Sequence, residues 1–140
     1  VEKGDPYPTQ IESTVRLVCE EGRKQFPDWP VTHLLCYQSR VGPAKWLQPP
    51  LTGTIEQLGQ QGVKEMLIVP ISFVTEHIET LHEINIEARE DAKKFGVEVF
   101  RMMPAVGDSP LFIAALRDLV LRAVGLAGDR GMMQASSTIN

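Results

Sequence analysis

Hydrophobic positions along this chain fall into blocks that alternate between helical and strand spacing. Ile11, Val15, Leu17, Val18 and Cys19 mark one side of a helix predicted over 9–26. The turn residues Gly4-Asp-Pro-Tyr-Pro8 precede it, with Thr9 as its expected N-cap. Asp28-Trp-Pro30 breaks that helix, Trp29 reading as a plug before the strand predicted over 31–38, which carries Leu34, Leu35, Cys36 and Tyr37. A loop rich in Gly and Pro spans 39–50, and a second helix over 52–61 stops at Gly62. Residues 66–74 are continuously apolar, the pattern of a strand covered on both faces. The helix after it carries Ile78, Leu81, Ile84, Ala88, Ala92 and Phe95 on one stripe and ends at Gly96. A third strand is predicted over 97–103. Asp108 or Ser109 then caps a last helix that opens on Pro110 and runs to 124.

The order is α-β-α-β-α-β-α, without internal repeats. It predicts an α/β fold, an open parallel sheet with helices on both faces. Ligands of such sheets bind beyond the carboxyl ends of the strands. The segments from Tyr37 onward and from Phe73 onward fall there.

Composition narrows the classes. A chain of 140 residues is the size of one domain, here expected over 1–124, with 125–140 as a flexible tail. A net charge of −4 and a pI near 5.4 argue against nucleic acid as the main partner. The longest apolar run is strand-sized, well short of a membrane span. Cys19 and Cys36 are too few and too scattered for a disulfide framework or a thiolate metal site, which points to a reducing compartment. The opening Val-Glu-Lys-Gly-Asp shows no secretory leader and reads like the middle of a longer polypeptide.

Candidate chemistry concentrates just past the apolar strand. His77 stands beside Glu79, Glu83 and Glu87, spaced at i, i+4 and i+8. Like charges at that spacing weaken a helix by about 0.2–0.5 kcal/mol per pair, a cost that suits the handling of a divalent cation or of protons. A helix N-terminus favours an ionised Glu79 and a neutral His77, the states that bind metal or accept a proton. The competing reading is a solvated face made by Glu79, Glu83, Glu87 and Glu90, with His82 a surface or packing residue. In the loop after the first strand, Tyr37 and Trp46 suit stacking on a flat apolar molecule, and Arg40 or Lys45 suits pairing with carboxylates. The competing reading there is a loop pinned by Trp46. A Gly-rich phosphate loop and a G-x-S-x-G elbow are both missing from the sequence. By pattern, Asp118 is a polar position on the last helix.

Taken together, these segments resemble the ferrochelatase family, which inserts ferrous iron into protoporphyrin IX to make protohaem. The motifs are Tyr37-Gln-Ser-Arg-Val-Gly-Pro43 with Trp46, then Val69-Pro-Ile-Ser-Phe-Val-Thr-Glu-His-Ile-Glu-Thr-Leu81, then Ile86-Glu87, and Pro110-Leu-Phe112 leading to Asp118-Leu-Val120. The likeness runs from Gly4 to Val120 and is to the C-terminal half of a two-half α/β enzyme with the porphyrin cleft between its halves.

The resemblance implies roles. Glu79 is a metal ligand and proton acceptor, and His77, Glu83 and Glu87 continue an acidic path on a helix widened into a π-turn. Tyr37, Gln38, Ser39, Arg40, Trp46 and Phe73 line the porphyrin side, and Asp118 matches an acidic position tied to catalysis. Ferrous iron and protoporphyrin IX are substrates, no permanent cofactor is implied, and a tail without cysteines predicts no iron–sulfur cluster. The other partner is the N-terminal half of the same enzyme, in a cytoplasmic, bacterial-type or membrane-peripheral setting, with an organelle left open. The family's principal histidine lies in a Ser-Ala-His segment upstream of the Gly-Asp-Pro-Tyr turn. The expectation is therefore a sheet missing its upstream strand and poor activity for these 140 residues alone. Two alternatives stay open: a chelatase for cobalt or another tetrapyrrole, and a truncated non-catalytic module that binds porphyrin or metal.

Overall fold

A computed structural model describes residues 4–28, 32–38 and 46–126 of the chain. Two compact units divide it, Val1–Ala105 and Val106–Asn140. The first unit opens with helix α1, Tyr7–Gln25. Pro6, not Thr9, is its N-cap, because prolines fit the first turn and the Asp5 carboxylate takes the orphan Tyr7 N–H at 2.9 Å. Only part of the apolar side expected for α1 is covered. Ile11, Val15 and Cys19 are half-buried, whereas Leu17 and Val18 are exposed.

The strand expected over 31–38 is not formed among the described residues. Residues 32–36 are irregular, and only Tyr37 makes an isolated parallel bridge, to Pro50. A strand needs a neighbour for its main-chain groups, and among the described residues the ladder contact is at Tyr37, through Tyr37 N–H to Pro49 O and Leu51 N–H to Tyr37 O. Cys36 therefore lies in irregular backbone. Trp29 lies outside the described residues.

Helix α2, Leu51–Gln60, leads through Gly62, whose φ is +83°, into strand β1, Glu65–Ile68. The strand is four residues long where nine were expected, because Pro70 has no N–H to offer the ladder and 70–75 fold into turns. Beyond the turns comes a π-helix, Glu79–Ala88, continuous with α3, Arg89–Lys94. Strand β2, Val99–Met102, returns parallel to β1 with Met66 opposite Phe100 and Leu67 opposite Arg101.

The two-stranded parallel sheet with its helices is an α/β architecture. Its core comprises Leu51, Ile55, Met66, Ile84, Ala88, Ala92, Val97 and Phe100. Met66 and Phe100 are buried, while Leu67 and Arg101 on the opposite pleat are exposed. One face of this sheet is thus packed, where the apolar run suggested two.

Gly59 of α2 lies against the end of α3. A Cβ at Gly59 would sit 2.5 Å from the Phe95 Cβ and 2.6 Å from its carbonyl oxygen. Backbone cannot step aside as a flexible side chain can. Gly59→Ala is therefore expected to destabilise the protein by about 1–3 kcal/mol, read as a lower urea midpoint at unchanged slope. An unchanged midpoint would show that α2 slides freely on α3.

In the second unit, helix α4, Pro110–Ala123, starts as expected: the Ser109 hydroxyl accepts from Phe112 N–H at 3.4 Å. Among the described residues no helix is long and apolar enough to cross a membrane.

Candidate active site

Local chemistry fixes the start of the π-helix. Pro70 ends β1, the turns carry the chain past Phe73, and His77 arrives at the helix entrance with Glu79 in the first turn. The Phe73 and His77 rings meet edge to face with centroids 4.2 Å apart. His77 Nδ1 lies 2.7 Å from Glu79 Oε2. An ionised carboxylate can only accept, so Nδ1 carries the proton, and in that tautomer of a neutral imidazole Nε2 holds a free lone pair. The Glu79 carboxyl is held below its ordinary value, first by a backbone N–H, its own, and then by His77. It thus stays anionic, the form a cation needs. Its part in holding the helix entrance is present above the ordinary carboxyl range and is lost as pH falls through the depressed value.

Gln38 joins this pair to the next carboxylate. Its Nε2 donates to Glu79 O at 2.9 Å and reaches Glu83 Oε2 at 3.4 Å, while its own carbonyl accepts from Trp46 Nε1 at 3.0 Å. Behind Gln38 opens a cavity of about 600 Å³ bordered by Tyr37, Trp46, Glu83, Glu87, Asp91 and Lys94, among others. Burial pushes the Tyr37 phenol up, with Glu12 adding to the shift. His82 is half-exposed, 3.6 Å from Glu87 Oε1.

The structure thus groups the expected residues in two sets. Phe73, His77 and Glu79 stand at the helix entrance. Tyr37, Gln38, Trp46, Glu83 and Glu87 line the cavity, and Gln38 bridges the sets. Among the described residues no three His, Cys, Asp or Glu side chains converge as a ready-made metal cage. Ser39, Arg40 and Lys45 lie outside the described residues. Asp118 belongs to the second unit, exposed on α4 and paired with Arg117 at 2.8 Å.

Sequence reasoning passed over Glu76 and Thr80. A polar Thr80 in step with the apolar Ile84, Ala88 and Ala92 was the available signal, since a buried hydroxyl needs partners. Burial also raises the Cys36 thiol, which makes it a poor thiolate.

An imidazole–carboxylate pair at a helix entrance, backed by a row of carboxylates on an α/β scaffold, is equipped to hold a cation and to exchange protons. The family model for ferrochelatase matches residues 1–124. The chain is 50% identical over 123 residues to the ferrochelatase of Nostoc sp. (strain PCC 7120) and 52% identical over 123 residues to that of Thermosynechococcus vestitus, in each case over 88% of this chain. It is 53% identical over 119 residues, 85% of the chain, to the ferrochelatase of Synechococcus sp. (strain RCC307). The chain belongs to the ferrochelatase family. It spans about 30% of the length of these curated relatives and matches their C-terminal part.

Proposed function

We propose that this chain supplies the metal-side half of a site that inserts ferrous iron into protoporphyrin IX. The observation that carries the reading is the 2.7 Å His77–Glu79 pair, placed against Phe73 and linked through Gln38 to Glu83. Insertion exchanges one Fe²⁺ for two pyrrole N–H protons. Opposed demands follow, a persistent anion for the cation and an unprotonated acceptor for the protons. The Glu79 carboxyl is held low and so stays anionic. It suits holding iron, a hard cation that carboxylate oxygen accommodates. His77 Nε2 suits taking a proton, and an imidazole is the side chain that exchanges one near neutral pH. Glu83 and Glu87, in the cavity behind, would pass protons or the cation onward, and Tyr37, Trp46 and Phe73 would face the macrocycle. The reading calls for no resident cofactor; iron enters as substrate.

The test is anaerobic ferrous insertion into protoporphyrin by the enzyme that carries this chain, followed as loss of porphyrin fluorescence. Turnover with Fe²⁺ is expected, and slower turnover with Co²⁺. Faster insertion of Co²⁺ would make it a cobalt chelatase. Porphyrin binding without insertion of any divalent ion would leave a binding module and end the enzymatic reading.

A further inference from the structure

The pair at the helix entrance is itself held by two side chains that touch neither partner's reacting atoms. Thr80 is 1% exposed, and its hydroxyl accepts from His77 N–H at 3.1 Å. That hydroxyl has one proton to give and two acceptors within reach, Glu76 Oε2 at 2.9 Å and His77 O at 3.0 Å. His77 O is already served by the N–H groups of Thr80 and Leu81 at 3.1 and 2.9 Å. A carboxylate is the stronger acceptor, so the proton goes to Glu76. The other Glu76 oxygen accepts from Ala105 N–H at 2.6 Å, just past β2. The exit of β2 is thereby joined through Glu76 and Thr80 to the backbone of His77.

We infer that Glu76 and Thr80 are positioning residues for the His77–Glu79 pair, which fix the π-helix entrance to the sheet by hydrogen bonding and not by charge. The inference rests on the reaction proposed above and adds residues to it. One consequence separates it from a role in proton or metal handling. A glutamine at 76 can still accept from Ala105 N–H through its oxygen and donate to Thr80 through its nitrogen. The Thr80 hydroxyl then turns its proton to His77 O, and every group keeps a partner. An alanine breaks both links.

In the enzyme that carries this chain, Glu76→Ala is expected to lower kcat about 10- to 100-fold, the scale of a misplaced catalytic group, with porphyrin KM nearly unchanged. Glu76→Gln is expected to stay within about threefold of the parent, close to the spread of an ordinary surface change. Equal losses in both variants would show that the charge matters and overturn the inference. So would a parent-like Glu76→Ala. If Glu76→Ala does not fold, the pair Thr80→Val and Thr80→Ser decides: Val should lose turnover and Ser retain it, and equal rates would overturn the inference. The His77 ring resonance by NMR reads the same geometry without turnover. It should move in Glu76→Ala and not in Glu76→Gln. An enzyme with no insertion activity but this NMR pattern would sink the proposed reaction and keep the positioning role.

Discussion

Glu79→Gln is expected to lower kcat for ferrous insertion by about 10²- to 10³-fold, the scale of losing a proton-transfer partner, while porphyrin binding holds. The substitution is nearly isosteric, so little else changes. It removes the anion that would hold the cation. It also frees the His77 tautomer. A carboxylate 2.7 Å from Nδ1 obliges that nitrogen to carry the proton, whereas an amide can donate to Nδ1 and send the proton to Nε2. The acceptor is then blocked even though the ring stays in place. His77→Ala should therefore cost a similar factor, and the double variant little more than either alone, since the two act as a unit. The three rates, measured by porphyrin fluorescence quenching, form the check. Multiplicative losses would mean that the two side chains work separately. A Glu79→Gln rate within about threefold of the parent, inside the range of an ordinary substitution, would remove Glu79 from the chemistry.

Much of this site could be read from the chain because its parts are local. His77 and Glu79 are two residues apart, at a helix start marked by the Pro70 break. Ser109 and Pro110 likewise announce α4 through cap chemistry alone. What local pattern did not carry was anything decided across the fold. Residues 31–38 have strand composition, but a strand exists only where a neighbour supplies hydrogen bonds, and among the described residues the one bridge is at Tyr37. The run 66–74 is apolar throughout, yet Pro70 lacks the donor that would extend β1. The π-helix was legible only through family resemblance, because the spacing of four in Glu79, Glu83 and Glu87 is equally that of an α-helix. Glu76 escaped notice since its partners, Thr80 and Ala105, come from two different segments.

Ile84→Ala is expected to remove about 2–5 kcal/mol of stability, which is much of what a domain of this size has. Ile84 is 2% exposed at the middle of the π-helix, within the buried row that Thr80, Ala88 and Ala92 complete. Each of Glu79, Glu83 and Glu87 stands one residue before a member of that row, so the row that is buried decides which way the carboxylates face. Arg89 adds a second hold where the π-helix gives way to α3. Its Nε donates to Asn85 O and its Nη1 to Phe100 O, both at 2.9 Å, with the guanidinium 5.6 Å from the Phe100 ring centre. With the helix anchored at both ends, truncating Ile84 should leave a cavity in an intact helix. The loss then appears in the urea midpoint, and turnover per folded molecule stays within about threefold of the parent, as for a change remote from the reacting groups. Ile84→Val, which removes one methyl, should cost about 0.5–1.5 kcal/mol. Unchanged stability with a large drop in turnover would mean that the row facing the core is not this one, and that Glu83 and Glu87 face elsewhere.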